Sequence, residues 1–403
     1  MEIDFQIVTL LLLASAVVAM LSRRLHLPYS VGLVLAGIAM AALHFAPHVA
    51  LTRDLLFTAL LPPLLFEGAY HLCWPQLRRE APLLATLVTA GVLVSAAVTA
   101  TGLHFLLGWP WIAAAIFGSL IAATDPVSVI ATFKESKAQG RLLTLLEAES
   151  LFNDGTAAVL FAVVLAIAAG QQPTPLAIGL LLLKTAGGGI LCGLAVGLAA
   201  LVLVWRTQDH LVEMTISAVA AWGSFFLADR LGLSGVLATI AAGILLGNIA
   251  PHGIVTERGR EAIHDFWEFA AFLANSIVFL LIGMHEATQN FRGLWLPACV
   301  AIALVLLSRA ATVWPCCLLF RLSALRVSAC HQLALFWGGL RGALALALAL
   351  SLPDGIPCRE PILTFTFAVV AFSIFAQGLT ITPLLRRIGE IPPRIARLET
   401  EEN

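Results

Sequence analysis

Long apolar runs separated by short polar connections organise the chain. Thirteen such runs stand at about 3–21, 29–45, 53–71, 82–107, 110–133, 142–169, 175–205, 210–229, 234–250, 266–285, 294–321, 328–352 and 361–385. A helix needs roughly 20 residues to cross a bilayer, and most of the runs approach that length. The connections are short and rich in Pro, Gly and charge, and none has room for a soluble domain. The pattern predicts an all-α polytopic membrane protein of about 13 transmembrane helices. No low-complexity tract or short-period repeat interrupts it. The first run follows Glu2 and Asp4 without any Lys or Arg. A secretory signal needs a basic start, so this run reads as a retained helix.

Composition sharpens the picture. Of 403 residues, 60% are hydrophobic and 12% charged. A soluble domain carries about 25% charged residues, so this chain cannot cover a water-facing surface. That excludes a soluble enzyme, a disordered protein and a nucleic-acid binder with a basic face. Net charge is −1, which implies no bulk electrostatic partner. The seven Cys lack metal-ligand spacing and read as small helix-packing residues.

The basic residues orient the chain, because cytoplasmic loops collect Lys and Arg. One side holds Arg23, Arg24, Arg78, Arg79, Lys134, Lys137, Arg141, Arg206, Arg258, Arg260, Arg321, Arg326, Arg386, Arg387, Arg394 and Arg397. The other holds Arg53, Arg230, Arg292 and Arg359. The richer side is cytoplasmic, and an odd number of crossings then puts the N-terminus outside and the C-terminus inside.

The charges inside the runs are the candidate chemistry, since an ionisable group at the bilayer centre costs at least a few kcal/mol. They reduce to Glu67, Asp125, Glu149, Asp154, Arg309 and Arg341, with Lys184 placed to snorkel. Asp125 precedes Pro126 in mid-run, where proline removes a backbone donor and disfavours helix at the residue before it. A helix broken at the midplane exposes carbonyls and half-helix ends that hold ions. The plainer alternative is a kink whose Asp caps the second half-helix. In the sixth run Glu149, Asn153 and Thr156 share one helix face, and Ser150 and Asp154 the adjacent one. A hard cation prefers carboxylate, hydroxyl and carbonyl oxygens. Asp154, Ser150, Asp125 and the Thr124 backbone offer that set. Glu147 sits nearer the cytoplasmic end and reads as solvated.

Glu67 follows Pro62-Pro63. It either reaches the ion through a water or holds a domain interface; both readings stay open. Arg309, in the centre of the eleventh run, needs an anion, and Glu149 is the unclaimed deep acid. Arg341 lies among Gly338, Gly339 and Gly342, which suggests close backbone approach or a second broken helix. Its charge would offset the carbonyl ends of the opposing half-helix. Runs four to six and eleven to thirteen are seven apart, an odd offset that reverses topology and hints at an inverted repeat. His26, His44, His71, His104, His210, His285 and His331 fall at predicted helix ends, the usual place for amphipathic side chains.

Four segments carry a resemblance: Ala123-Thr124-Asp125-Pro126-Val127, Glu149-Ser150-Leu151-Phe152-Asn153-Asp154-Gly155, Leu61-Pro62-Pro63-Leu64-Leu65-Phe66-Glu67 and Gly338-Gly339-Leu340-Arg341-Gly342-Ala343. Together with Asn275 to Gly283 and Ser308-Arg309-Ala310, they resemble monovalent cation/proton antiporter family 1. Within it they are similar to the bacterial NhaP-type sodium/proton antiporters. The motifs run through the whole chain in order. The resemblance implies the NhaA-like antiporter fold, with inverted repeats whose fifth and twelfth helices are broken and cross. It implies a core ion-transport bundle at about 80–170 and 293–386. A dimerisation scaffold would occupy about 1–79 and 206–292, with a linker helix at 175–205 and no soluble regulatory domain. The tail from Arg386 to Asn403 is shorter than that of larger eukaryotic relatives, so tail regulation is not carried over.

By motif position, Asp154 matches the essential ion- and proton-carrying Asp, and Asp125, Thr124 and Ser150 match the other cation ligands. Asn153 matches the residue that is a second Asp in electrogenic relatives. Glu67 matches an acid that reaches the ion through water, Glu149 and Arg309 a structural ion pair, and Arg341 an Arg near the helix crossing. The implied activity is exchange of cytoplasmic Na+ for external H+, electroneutral and 1:1, in a homodimer of the bacterial inner membrane. Its partners are then monovalent cations, protons, the lipid bilayer and a second copy of the chain, with no cofactor, no enzymatic activity and no nucleic acid. A K+- or Li+-preferring antiporter shares every motif. A cation channel would need a filter loop, and an intramembrane aspartyl protease Tyr-Asp and Gly-x-Gly-Asp contexts; neither feature is in the chain.

Overall fold

The computed structural model of the protein describes residues 5–25, 27–43, 51–125, 127–135, 140–170, 174–249, 253–287 and 294–391. Glu2, Asp4, His26, His44, Pro126, Lys137, Arg292, Arg394 and Arg397 lie outside the described residues, as do the side chains of Arg23 and Lys134. The described residues form helices, which answers the bilayer's demand that every backbone group be satisfied within its own segment. In chain order they are α1 (Phe5–Leu25), α2 (Tyr29–Ala42), α3 (Leu61–His71), α4 (Trp74–Leu107), and α5 in two pieces, α5a (Trp111–Leu120) and α5b (Val127–Glu135). Then follow α6 (Arg141–Ala168), α7 (Pro175–Val204), α8 (His210–Arg230), α9 (Gly235–Ile249), α10 (Glu257–Glu286) and α11 (Trp295–Leu319). The last span-sized units are α12a (Ala329–Gly338) with α12b (Ala343–Leu350), and α13 (Arg359–Arg387). Seven of these, α4, α6, α7, α8, α10, α11 and α13, are long and apolar enough to cross a membrane unaided.

Local chemistry sets the helix starts. The Thr174, Asp209, Thr256 and Ser328 side chains each accept a hydrogen bond from an amide in the first turn of α7, α8, α10 and α12a. Pro62 and Pro63 follow directly on a widened π-helical turn at Leu55–Leu60, and the Thr58 carbonyl in that turn accepts Trp222 Nε1 at 3.0 Å in place of a helical amide. Two helices begin earlier than the apolar pattern alone indicates. α4 starts at Trp74 and α10 at Glu257. Charge marks these added turns: Arg78, Arg79 and Glu80 in the second turn of α4, and Arg258 and Arg260 in the first turn of α10.

The helices pack in two groups. In one, α2 lies along α10, α3 along α9 and α10, and α9 along α7 and α8. Gly37 and Gly283 bring α2 and α10 into backbone contact; a side chain at either would run into the facing main chain. In the other, α4 packs on α5a and α11, α6 on α5a, and α13 on α11, α12b and α5b. α6 also touches α3, α7 and α9, so it forms much of the seam between the groups.

The two broken helices meet at that seam. α5 stops at Leu120 and resumes at Val127; α12 stops at Gly338 and resumes at Ala343. The break in α5 thus opens several residues before Asp125. The two extended stretches run antiparallel, and the Asp125 amide donates to the Leu340 carbonyl at 2.8 Å. That bond satisfies backbone groups the helix breaks have freed.

Candidate functional site

α6 carries the polar strip that its spacing predicts, and the strip faces the helix crossing. Glu149, Ser150 and Asn153 are buried, and Asp154 is half-buried against a cavity. The Ser150 hydroxyl donates to the Thr124 carbonyl. Asn153 Nδ2 donates to the Ala122 carbonyl and Thr124 Oγ1, both at 3.1 Å, and to Glu149 Oε1 at 3.4 Å. The unwound stretch of α5 is therefore held by α6 side chains instead of by helical bonds of its own.

Beside the strip lies a second network. Arg309 Nη1 and Nη2 donate to Glu149 Oε1 and Oε2 at 2.7 and 2.9 Å, a bidentate pair. Arg309 also donates to the Leu335 carbonyl near the end of α12a, through Nη2 at 2.8 Å and Nε at 3.2 Å. One guanidinium thus ties α11, α6 and α12a. Arg341, 2% exposed, lies in the α12 break and donates through Nη1 to the Ala123 carbonyl at 3.2 Å. It is within electrostatic reach of Asp154, Glu149 and Arg309.

The cavity has a volume of about 120 Å³. Its walls are α3 (Leu61, Glu67, His71), the α5 break (Thr124, Asp125), α6 (Glu147, Ser150, Asp154), Asn275 of α10, and the start of α12b at Gly342 and Ala343. It therefore lies between the two helix groups. Asp125 Oδ1 accepts the Val127 amide at 3.0 Å, so this residue does cap α5b. The cap leaves it in the cavity wall, and the two readings of Asp125 coexist. Its carboxylate packs against Gly342 so closely that a Cβ there would collide with it. Asp154 Oδ1 is sealed from solvent with no hydrogen-bond partner among the described residues, and Asn153 Oδ1 is in the same state. An orphaned carboxylate oxygen costs free energy unless something else fills its place. Carboxylate, hydroxyl and carbonyl oxygens on one wall are the donors a hard cation takes. A hydroxyl or carbonyl already in one hydrogen bond retains a lone pair for an ion.

Of the predicted site residues, Asp154, Asp125, Ser150, Thr124 and Glu67 line this cavity, whereas Asn153 stands behind the wall and braces it. Glu149, Arg309 and Arg341 lie outside the cavity, in the network behind the crossing. Sequence reasoning gave no role to Asn275 or His71, and it read Glu147 as solvated. Glu147 is half-buried and lines the cavity. His71 Nδ1 is 3.5 Å from Glu67 Oε1, and His71 Nε2 is 2.8 Å from Nδ1 of exposed His264. Asn275-Ser276 interrupts an apolar run, which is the signal that marks Asn275. Two further buried acids escaped the hydropathy reading because they sit near helix ends. Glu80 pairs with Arg141 at 2.7 Å, and Glu213 accepts the Thr256 hydroxyl at 2.9 Å.

Comparison with known proteins bears on this geometry. The family described as sodium/hydrogen exchanger, transmembrane, matches residues 9–387. The low-affinity Na+/H+ antiporter NhaS1 of Synechocystis sp. is 36% identical over 382 residues, covering 93% of this chain and 72% of its own. The Na+/H+ antiporter NhaP of Pseudomonas aeruginosa is 39% identical over 347 residues, covering 83% of this chain and 81% of its own. The sodium proton antiporter MjNhaP1 of Methanocaldococcus jannaschii superposes with a TM-score of 0.79 at 21% identity, over 98% of this chain and 100% of that one. That likeness shows the fold.

Proposed function

The chain belongs to the sodium/hydrogen exchanger family, and we propose that it exchanges cytoplasmic Na+ for external H+ at the cavity beneath the helix crossing. The observation that carries the reading is the orphaned carboxylate oxygen of Asp154. It stands in a wall shared with Asp125, Ser150 and Thr124. Na+ there would take oxygens from Asp154, Asp125, Ser150 and Thr124, and Glu67 would reach it through water. Asn153 keeps the α5 break in shape by donating to Ala122 and Thr124. The Glu149–Arg309 pair braces α6 against α11, and Arg341 offsets the carbonyl ends at the crossing.

Coupling follows from competition. A proton on Asp154 and a cation beside it exclude each other, because each neutralises the same carboxylate. A charged empty site is costly to carry through an apolar barrier, so the site moves when loaded with one or the other. Asn153 is neutral in both states, which favours one cation per proton and no net charge movement. The moving body in this reading is the core at about 80–170 and 293–386. It rocks against the scaffold at 1–79 and 206–292, with 175–205 as the link. The packing of helices in two groups with the cavity between them supports this division. The basic-residue tally puts the His71 and Glu147 ends of α3 and α6 on the cytoplasmic side, so the cavity would open inward. The same tally gives an outside N-terminus and an inside C-terminus. The proposal extends to a homodimer in a bacterial inner membrane.

Reconstituted vesicles with a trapped pH dye test the exchange. Added Na+ should move protons with or without a valinomycin voltage clamp, and Li+ or K+ in its place sets the preference. No cation-dependent proton movement would defeat the proposal. Movement that depends on the clamp would defeat the 1:1 ratio alone.

A further inference from the structure

A second cavity, about 390 Å³, lies away from the ion site at the ends of α11 and α12a. Trp314 and Leu318 of α11 form its apolar wall, and Arg321, Arg326 and Gln332 its polar one. Among the described residues no acidic one lines it. Among the described residues the guanidinium groups of Arg321 and Arg326 make no hydrogen bond or ion pair, and both are exposed.

The connection that carries these arginines is fixed. Arg141 donates through Nη1 to the Arg326 carbonyl and through Nη2 to the Leu325 carbonyl, each at 2.8 Å. Arg141 is itself clamped by buried Glu80 at 2.7 and 2.8 Å. Gln332 donates to the Val327 carbonyl at 2.9 Å. Trp314 is stacked on Phe336 of α12a, with ring centroids 5.4 Å apart. The backbone is thus pinned while two cationic side chains remain unspent, which lowers the ordering cost of binding an anion. The apolar side of the cavity is open as well: Trp314 is 46% and Leu318 61% exposed at the end of a membrane-crossing helix. A ligand that suits both walls is anionic at one end and apolar at the other.

We propose that this cavity binds the headgroup of an anionic phospholipid, with the phosphate between Arg321 and Arg326 and the acyl chains along Trp314 and Leu318. The leaflet is the cytoplasmic one, on the orientation proposed above; the binding itself does not depend on that orientation. Basic pockets between helices on this side are suited to such headgroups. The pocket is built on α11 and α12a, the elements that Arg309 joins to α6, so a bound lipid loads the body that carries the ion site.

Native mass spectrometry of the full chain in neutral detergent tests this, with phosphatidylglycerol, phosphatidylcholine and inorganic phosphate as probes. Phosphatidylglycerol should be retained and phosphatidylcholine should not, and excess inorganic phosphate should not displace the lipid. The double variant Arg321→Gln/Arg326→Gln should lose retention roughly tenfold or more while melting at the wild-type temperature. Arg78→Gln/Arg79→Gln removes the same charge from another exposed part of that side and should retain the lipid as wild type does. Equal retention by the Arg321/Arg326 variant, equal loss in the Arg78/Arg79 variant, equal binding of phosphatidylcholine, or displacement by phosphate would each overturn the proposal.

Discussion

Glu149→Ala should unfold the protein far more readily than Glu149→Gln. Glu149 and Arg309 are 2% and 4% exposed, so neither charge is screened by water. Alanine leaves the Arg309 guanidinium in buried surroundings with only the Leu335 carbonyl as acceptor among the described residues. Stranding one member of a buried pair costs about 3–5 kcal/mol, or roughly two to almost four orders of magnitude in the folded-to-unfolded ratio. The two bonds to Leu335 remain and hold the loss toward the lower end. Glutamine preserves the shape and one acceptor oxygen, so its cost is smaller. The pair is also replaceable in principle, because desolvating two charges offsets much of their attraction. Glu149→Leu/Arg309→Leu should therefore lose less than the sum of its single changes. Folded yield by fluorescence-detected size exclusion, with thermal melts in one detergent, reads these three variants and the two single leucine changes. Equal and wild-type-like yields for Glu149→Ala and Glu149→Gln would refute the buried-pair reasoning.

Other outcomes follow from the same geometry. Gly342→Ala should weaken Na+ binding in the protein that folds, because the added methyl collides with the Asp125 side chain and displaces it; unchanged half-saturation in proteoliposomes would count against Asp125 as a ligand. Asn153→Ala leaves the Ala122 carbonyl and Thr124 hydroxyl without their donor and should cost about 1–3 kcal/mol in a melt; no change would mean that the α5 break holds itself. If protons and Na+ share one site, the Na+ concentration for half-maximal exchange should rise as pH falls. The limit is about tenfold per pH unit, with saturating Na+ restoring the rate. A half-saturation value that ignores pH would exclude simple competition.

Much of the architecture is legible in the chain because the bilayer imposes it. Apolar runs of helical length mark the helices. Helix ends are less legible. The opening turns of α4 and α10 carry charge, so the apolar runs begin only at about 82 and 266 although the helices start at Trp74 and Glu257. The break in α5 is signalled by Asp125-Pro126, yet it opens soon after Leu120 because its extended stretch bonds to Leu340, more than 200 positions away. The polar strip of α6 is legible in its spacing alone. The cavity is not: His71, Glu147 and Asn275 come from three helices, and only packing brings them to one wall. Glu80 and Glu213 hide for another reason. They lie near helix ends, where charge is ordinarily solvated, and their partners Arg141 and Thr256 come from other segments.

In the proposed exchange one carboxylate, Asp154, carries Na+ and H+ in turn. Asp154→Asn keeps the volume of the side chain and removes both the charge and the exchangeable proton. Purified, shown to be folded, and reconstituted with a trapped pH dye, this variant should give no Na+-dependent proton movement while wild type does. Persistent Na+-driven exchange in Asp154→Asn vesicles would contradict the account.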